Sequence, residues 1–243
     1  MLIINADDWG RSAAETDAAL SCFKARRITS ASGMVYMSDS ERAARLAAEN
    51  ALNIGLHLNF SERFTRSRCP KGLRESHNRI VRYLKGNKYA QLIYNPFLGN
   101  AFTYSFQTQW DEFIRLYGKM PAHVDGHHHM HLCANVRFSD LIPHGIRVRR
   151  NFSFWPGEKS WLNRTYRRAI DRRLERNYRV TDYFFDLTTS LEQRKLDRVV
   201  GLARSRNVEL MTHPIDKREA DYLQSDEFCG ILQQLDMNQC ALV

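Results

Sequence analysis

Four of the nine histidines fall between positions 127 and 131, inside the run HVDGHHHMHL (123–132). Isolated histidines such as His77 and His144 read as structural or solvated, but imidazoles grouped with carboxylates form a ligand set for a divalent ion. Two adjacent acids, Asp7 and Asp8, close the apolar run that opens the chain. His57 and Asn59 lie in GLHLN (55–59), and His213 lies in THP (212–214). Adjacent acids can divide labour, one holding a metal while its neighbour stays ionised as a base toward bound water. The chemistry these residue types suggest is metal-assisted hydrolysis. The competing reading of Asp7–Asp8 is a cap on the following helix.

Such groups need elements that deliver them to one place. Residues 1–7 read as a strand buried on both faces, since Leu2, Ile3 and Ile4 run without polar alternation. A helical pattern follows to about residue 26, then strand-like ITSASGMVYM (28–37), a helix over 39–50 with Ser38 or Asp39 as N-cap, and a strand over 54–60. Residues 61–75 read as a polar loop broken by Pro70 and Gly72. Helices are expected over 76–92 and 104–118, the second carrying an apolar stripe of Trp110, Phe113, Ile114 and Tyr117. Further strands or strand ends are expected at 123–132, 146–150, 182–187 and 208–214, with helices near 190–206 and 220–235 and a short final strand at CALV (240–243). Extended through 123–132, the chain would turn His123, Asp125, His127, His129 and His131 to one face. One metal cannot use all five, so the rest would support ligands, bind substrate or move protons. Repeated strand–helix units without a linker or internal repeat predict one α/β domain over 1–243, a TIM-like (β/α) barrel with mostly parallel strands and its chemistry at the strands' carboxyl ends.

With 243 residues, 43% of them hydrophobic, the chain has enough material for a substantial core, which excludes low-complexity disorder. No apolar run reaches the ~18–20 residues of a membrane span, and the opening residues lack the features of a secretory signal, so a cytoplasmic location is expected. Cys22, Cys69, Cys133, Cys229 and Cys240 are scattered without a CxxC pair and read as reduced thiols. The net charge of +9 is uneven: residues 1–144 carry +5, residues 145–180 carry +8, and residues 181–243 carry −4. In the basic segment Leu162, Tyr166, Ala169 or Ile170, and Leu174 recur at helical spacing. Arg167, Arg168, Arg172, Arg173 and Arg176 fill much of the remaining surface, with Phe152, Phe154, Trp155 and Trp161 nearby. That composition suits an anionic substrate or peripheral contact with a membrane. No nucleic-acid-binding signature accompanies it, so no nucleic acid is expected as partner.

NADDWG (5–10), GLHLN (55–59), HVDGHHHMH (123–131) and THP (212–214) together, in this order, resemble the YdjC-like (ChbG/HpnK) carbohydrate deacetylases. The resemblance runs from the first strand to about residue 214 and implies a TIM-like barrel that binds one divalent metal, zinc or magnesium, and removes N-acetyl groups from amino sugars. Carried over by position, it implies Asp8, His57 and His127 as metal ligands, Asp7 as general base and His213 as general acid for the departing amine. Asp125 would anchor a ligand histidine through its second ring nitrogen. Arg147 would orient a carboxylate or bind substrate, and His129, His131 and Asn59 would support the ligands or contact substrate. The substrate expected is an N-acetylated amino sugar, free, phosphate-bearing or lipid-linked, acted on by a monomer or homodimer. Two rival readings use the same ligand set, a non-haem iron oxygenase and a two-metal phosphoesterase, and a third is a non-catalytic binder of anionic polymers through residues 145–180.

Overall fold

The structure is a computed structural model and describes residues 1–235. Cys240 and the strand expected at CALV lie outside the described residues. The strands are β1 (Leu2–Trp9), β2 (Ser30–Gly33), β3 (Ile54–Leu58), β4 (Val124–Gly126), β5 (Tyr183–Asp186) and β6 (Val208–Thr212). The helices are α1 (Ala13–Lys24), α2 (Ser40–Glu49), α3 (Lys71–Gly86), α4 (Gly99–Tyr117), α5 (Ala134–Phe138), α6 (Trp161–Asn177), α7 (Leu187–Glu192), α8 (Leu196–Ala203), α9 (Lys217–Leu223) and α10 (Asp226–Gln234). The strands run parallel in one sheet of order β4-β3-β2-β1-β6-β5. This is an α/β fold of barrel-like construction. Among the described residues the strand order runs from β4 at one end to β5 at the other, six strands of the closed or nearly closed barrel that the repeated strand–helix units predict. No helix among the described residues is long and apolar enough to cross a membrane.

Two compact units share β1 and β2. The first contains Met1–Ala6, Asp17–Ala31 and the chain from His144 onward. Here Leu2 to Ala6 of β1 pair with Val208 to Thr212 of β6, and β6 pairs in turn with Tyr183 to Asp186 of β5. Leu2, Ile4, Phe184, Val208 and Leu210 are buried, as continuous apolar runs in parallel strands must be. Side-chain caps start the helices: Asp186 accepts from the Thr189 amide, Asp216 from the Arg218 and Glu219 amides, and Ser225 from the Phe228 amide. The helix expected over 190–206 is two, α7 and α8, because the chain turns between them through left-handed Arg194 (φ 51°).

The strand expected at 146–150 shrinks to a single bridge between Arg147 and Arg179. Beyond it the Asn151 amide donates to the Asp171 carboxylate, so a side chain takes the place of a strand partner. The predicted apolar stripe of α6 is only half right: Ile170 and Leu174 are buried, but Leu162 and Tyr166 are 71% and 41% exposed.

The second unit contains Asp7–Thr16 and Ser32–Pro143. Helices α3 and α4 pack as a pair, and Phe60 meets Phe102 at 5.1 Å between ring centroids. Helix α3 starts earlier than expected, at Lys71, because Pro70 needs no amide partner ahead of a first turn. Helix α4 likewise starts at Gly99 and ends on left-handed Gly118. Asp39 precedes α2 but does not cap it; its carboxylate pairs with Arg42 at 2.8 and 2.9 Å. Leu56, His57 and Leu58 of β3 stand in register with Val124, Asp125 and Gly126 of β4.

The strand expected over 123–132 stops at Gly126. Residues His127–Leu132 form a tight helical turn in which His128 and His129 are left-handed, at φ 52° and 58°. Histidine tolerates that conformation better than bulkier or branched residues. The chain doubles back so closely that a Cβ at Gly126 would lie 2.9 Å from the His131 amide nitrogen. A single face shared by all five odd positions is therefore lost.

Candidate metal and catalytic site

Adjacent strand residues ordinarily point to opposite faces, which would separate Asp7 from Asp8. In β1 they do not separate, because Asp8 is left-handed (φ 65°). Strain of this kind at a non-glycine residue is characteristic of functional sites. The result is that both acids reach His57 Nε2, Asp8 Oδ1 at 3.4 Å and Asp7 Oδ2 at 4.0 Å. His127 adds its Nδ1 at 2.9 Å from the same Asp8 oxygen.

Asp8, His57 and His127 each offer a ligand atom, all within 4.8 Å of one another, and all three residues are buried. Asp8 Oδ1 and His127 Nε2 are buried with ion-pair contacts to His127 Nδ1 and Glu62 Oε2 that lack hydrogen-bond alignment, as suits atoms able to turn to a cation. The donor set of one carboxylate and two imidazoles suits zinc and its transition-metal neighbours and also admits magnesium. These residues fit the metal that the resemblance implies.

His57 is aimed by its other nitrogen. The β3–β4 register sets it beside Asp125, whose Oδ1 lies 2.8 Å from His57 Nδ1. Asp125 is itself fixed by the Ser32 hydroxyl, which donates to Oδ2 at 2.7 Å, and Ser32 also meets His123 Nε2 at 2.9 Å. A carboxylate behind a histidine in this way sets its tautomer and direction.

Electrostatics follow from the crowding. Burial by itself would lower the His57 pKa, but Asp125, Asp7 and Asp8 outweigh it and raise the pKa to about 10. Burial would raise that of Asp8, yet His127 and His57 hold its carboxyl well below the usual carboxylate range.

Glu62 and Ser61 complete the surroundings, and the motifs did not single them out. Glu62 Oε2 lies 3.0 Å from His127 Nε2 and is also held by Arg11. The Ser61 hydroxyl meets His128 Nδ1 at 2.9 Å. Their only sequence signal is position, directly behind GLHLN. Asn59 shapes that bend: its side-chain oxygen accepts the Ser61 and Glu62 amides. His131 is buried where the turn closes on Gly126, and neither His129 nor His131 joins a ligand cluster among the described residues. His77, outside the site, stacks on Phe64 at 3.8 Å and bonds the Glu62 carbonyl and Ser105, a structural role as expected.

In the first unit, His213 directly follows β6. Buried Glu219 receives its amide and the Thr212 hydroxyl, and Thr188 also donates to Glu219. Asp186, His213 and Glu219 form a further group with ligand-type atoms within 4.8 Å. Arg147 is half-buried at its bridge with Arg179. The fully buried arginine of that segment is Arg149, 2.6 Å from Glu209 and facing the Phe184 ring. The four described cysteines are free thiols.

The YdjC-like protein family matches residues 1–234, nearly the full chain. This chain belongs to the YdjC-like family. Among curated relatives of this YdjC-like chain, a carbohydrate deacetylase of Clostridium beijerinckii is 27% identical over 88% of this chain and 80% of its own length. One of Mus musculus, with the same description, is 27% identical over 88% and 77%. A chitooligosaccharide deacetylase of Yersinia enterocolitica is 25% identical over 56% and 52%. The fold is shared with a solved structure from Enterococcus faecalis, provisionally described as a cellobiose-phosphate cleavage protein. That likeness has a TM-score of 0.67 at 19% identity and covers 100% of this chain and 96% of the other.

Proposed function

We propose that this chain is a metal-dependent carbohydrate deacetylase: it hydrolyses the N-acetyl group of an amino sugar and releases acetate and the free amine. The observation that carries the reading is the convergence of Asp8, His57 and His127, with Asp7 on the same imidazole nitrogen, in a member of the YdjC-like family. The names of its relatives support an N-acetylated oligosaccharide of the chitooligosaccharide kind. The parallel strand–helix construction supports a barrel-type fold with the site at the strands' carboxyl ends.

Asp8, His57 and His127 hold the metal, zinc or magnesium. When bound, the ion supplies Lewis acidity toward the amide carbonyl and toward water. Asp7 takes the proton from the attacking water. Asp125 keeps His57 Nε2 turned toward Asp8 by occupying Nδ1. An amine leaves poorly as an anion, so an acid must protonate it, and His213 is assigned that role. Asn59 and Glu62 fix the loop behind His57, and Arg147, His129 and His131 are assigned to substrate contact or support.

The test is acetate release from N-acetylated sugars by metal-stripped and metal-reloaded protein, with Asp7→Asn alongside. Acetate that requires metal and collapses in Asp7→Asn supports the reading. One tightly bound metal per chain with no acetate from any sugar overturns it in favour of oxygenase chemistry. Two metals per chain with phosphate-ester cleavage overturn it in favour of a phosphoesterase.

A further inference from the structure

The chain between α3 and α4 carries an apolar surface that the metal site does not use. Tyr89, Leu92, Ile93, Tyr94 and Phe97 are exposed, Ile93 by 54% and Phe97 by 87%, and Tyr94 meets exposed Phe138 of α5 at 6.2 Å between ring centroids. Single apolar residues at a surface are ordinary, whereas a contiguous group marks an interaction site. The segment is firmly held. Ala90 and Leu98 are buried beneath it, and the Tyr83 hydroxyl donates to the Ala90 and Ile93 carbonyls. The Asn95 amide donates to the Asn135 side chain at 3.0 Å, and Asn135 Nδ2 returns a bond to the Asn95 carbonyl at 2.8 Å. These backbone groups are satisfied from within the protein, as contact with an apolar phase requires.

The charge around this surface has one sign. Residues 76–110 include Arg79, Arg82, Lys85 and Lys88, all exposed, and no acid. Lys88 lies over the Tyr89 ring at 4.9 Å, and Arg137 lies over the Phe138 ring at 5.3 Å. A second copy docked on this face about a two-fold axis would set these cations against themselves. Protruding apolar side chains with cations beside them instead suit a fluid apolar phase beneath an anionic surface. The basic segment 145–180, expected from the sequence to meet a membrane, matches less well. Its helix α6 interleaves the arginines with Asp171 and Glu175, which lie 3.0 and 3.7 Å from Arg150.

We infer that the surface over residues 88–97 is a docking site for an anionic lipid bilayer. Ile93 and Phe97 enter the boundary between headgroups and acyl chains, and Lys85 and Lys88 sit among the headgroup phosphates. Asn95 ties the segment to α5, which follows the turn carrying His127, so docking holds that turn close to the lipid.

The test is flotation of the full-length, metal-loaded protein with vesicles of phosphatidylcholine alone and of an equal mixture with phosphatidylglycerol. Binding is expected to the mixed vesicles, at least about tenfold tighter than to the neutral ones, and to weaken as salt rises. Lys85→Gln with Lys88→Gln should weaken it about fivefold for each charge removed. Ile93→Ser with Phe97→Ser, at exposed positions that tolerate change, should weaken it at least about tenfold. Arg168→Gln with Arg172→Gln on α6 should leave it within about twofold. Insertion is read directly with Phe97→Trp, whose added fluorescence should be quenched by lipids brominated near the headgroup end of their acyl chains.

Absence of binding to either vesicle overturns the inference, as does equal affinity for the two. Binding that survives in folded Ile93→Ser/Phe97→Ser and is lost in the α6 variant overturns it in favour of residues 145–180. A dimer in solution that Ile93→Ser/Phe97→Ser dissociates overturns it in favour of a second copy. None of these measurements needs turnover, so their outcome stands apart from that of the acetate assay.

Discussion

Asp125 is not one of the three expected metal ligands, yet the geometry makes His57 depend on it. It is fully buried, lies 2.8 Å from His57 Nδ1 and accepts from Ser32 at 2.7 Å. Asp125→Ala removes the partner that fixes the ring and leaves the Ser32 hydroxyl and His57 Nδ1 without this acceptor. A hydrogen bond to a charged group contributes roughly 1.5–3 kcal/mol, and about 1.4 kcal/mol is tenfold in a binding constant. If that energy serves to hold Nε2 toward Asp8, metal affinity should fall about 10- to 150-fold, overlapping the roughly 10- to 100-fold loss typical when an outer partner of a metal-bound histidine is removed. Asp125→Asn keeps one acceptor oxygen for His57 while an NH2 donor replaces the oxygen that accepts from Ser32, so its loss should be smaller than that of Asp125→Ala. The assay is competition for zinc against a chelator of known affinity, with thermal melting of the metal-free proteins in parallel to separate misfolding from mis-aiming. Wild-type zinc affinity in a folded Asp125→Ala protein would refute the argument that β4 aims the ligand on β3.

Three further outcomes follow from buried contacts. A Cβ at Gly55 would sit 2.4 Å from the His123 ring, so Gly55→Ala must displace His123 from Ser32; a loss of about 1–3 kcal/mol should appear as a lower urea midpoint, and an unchanged midpoint contradicts the packing. Arg149→Met strands Glu209 in the core and should cost about 3–5 kcal/mol in denaturant unfolding, whereas adding Glu209→Met should recover much of it; a double variant no better than the single removes the ion pair as the cause. Burial lowers the His77 pKa from 6.5 to about 4, so the folded state resists the proton that the unfolded state accepts. Its contribution is therefore full above pH 6.5 and declines as pH falls toward 4, by on the order of 3 kcal/mol; His77→Phe should flatten that slope, and an identical slope in the variant assigns the acid sensitivity elsewhere.

Much of the fold was legible because local pattern reports local structure. Continuous apolar residues marked β1, the Trp110 and Phe113 spacing marked α4, and alternation of the two kinds of element marked a parallel α/β fold. The pattern failed where side chains replaced backbone partners. Asp171 took the Asn151 amide and left no strand at 146–150, and Leu162 and Tyr166 matched a helical stripe without having a core to enter. Glu62 was invisible because an acid in a polar loop has no period to betray it. Arg149 differed from its neighbouring arginines only through Glu209, sixty residues away along the chain.

The sequence alone determined the inventory: two acids at the end of the first strand, imidazoles behind the third and fourth, and the order in which they occur. Residue type and spacing suffice for that, because a carboxylate or an imidazole carries its chemistry wherever it stands. Only the tertiary structure decided which of them meet. Four neighbouring histidines compete on paper, and β4 ends after Gly126, so the left-handed turn at His128 and His129 leaves His127 facing Asp8. The left-handed Asp8 turns what would be opposite faces into one site, and the register of β3 on β4 sets Asp125 behind His57. Those are properties of strands brought together from 68 residues apart, where packing selects a backbone conformation that no local preference specifies.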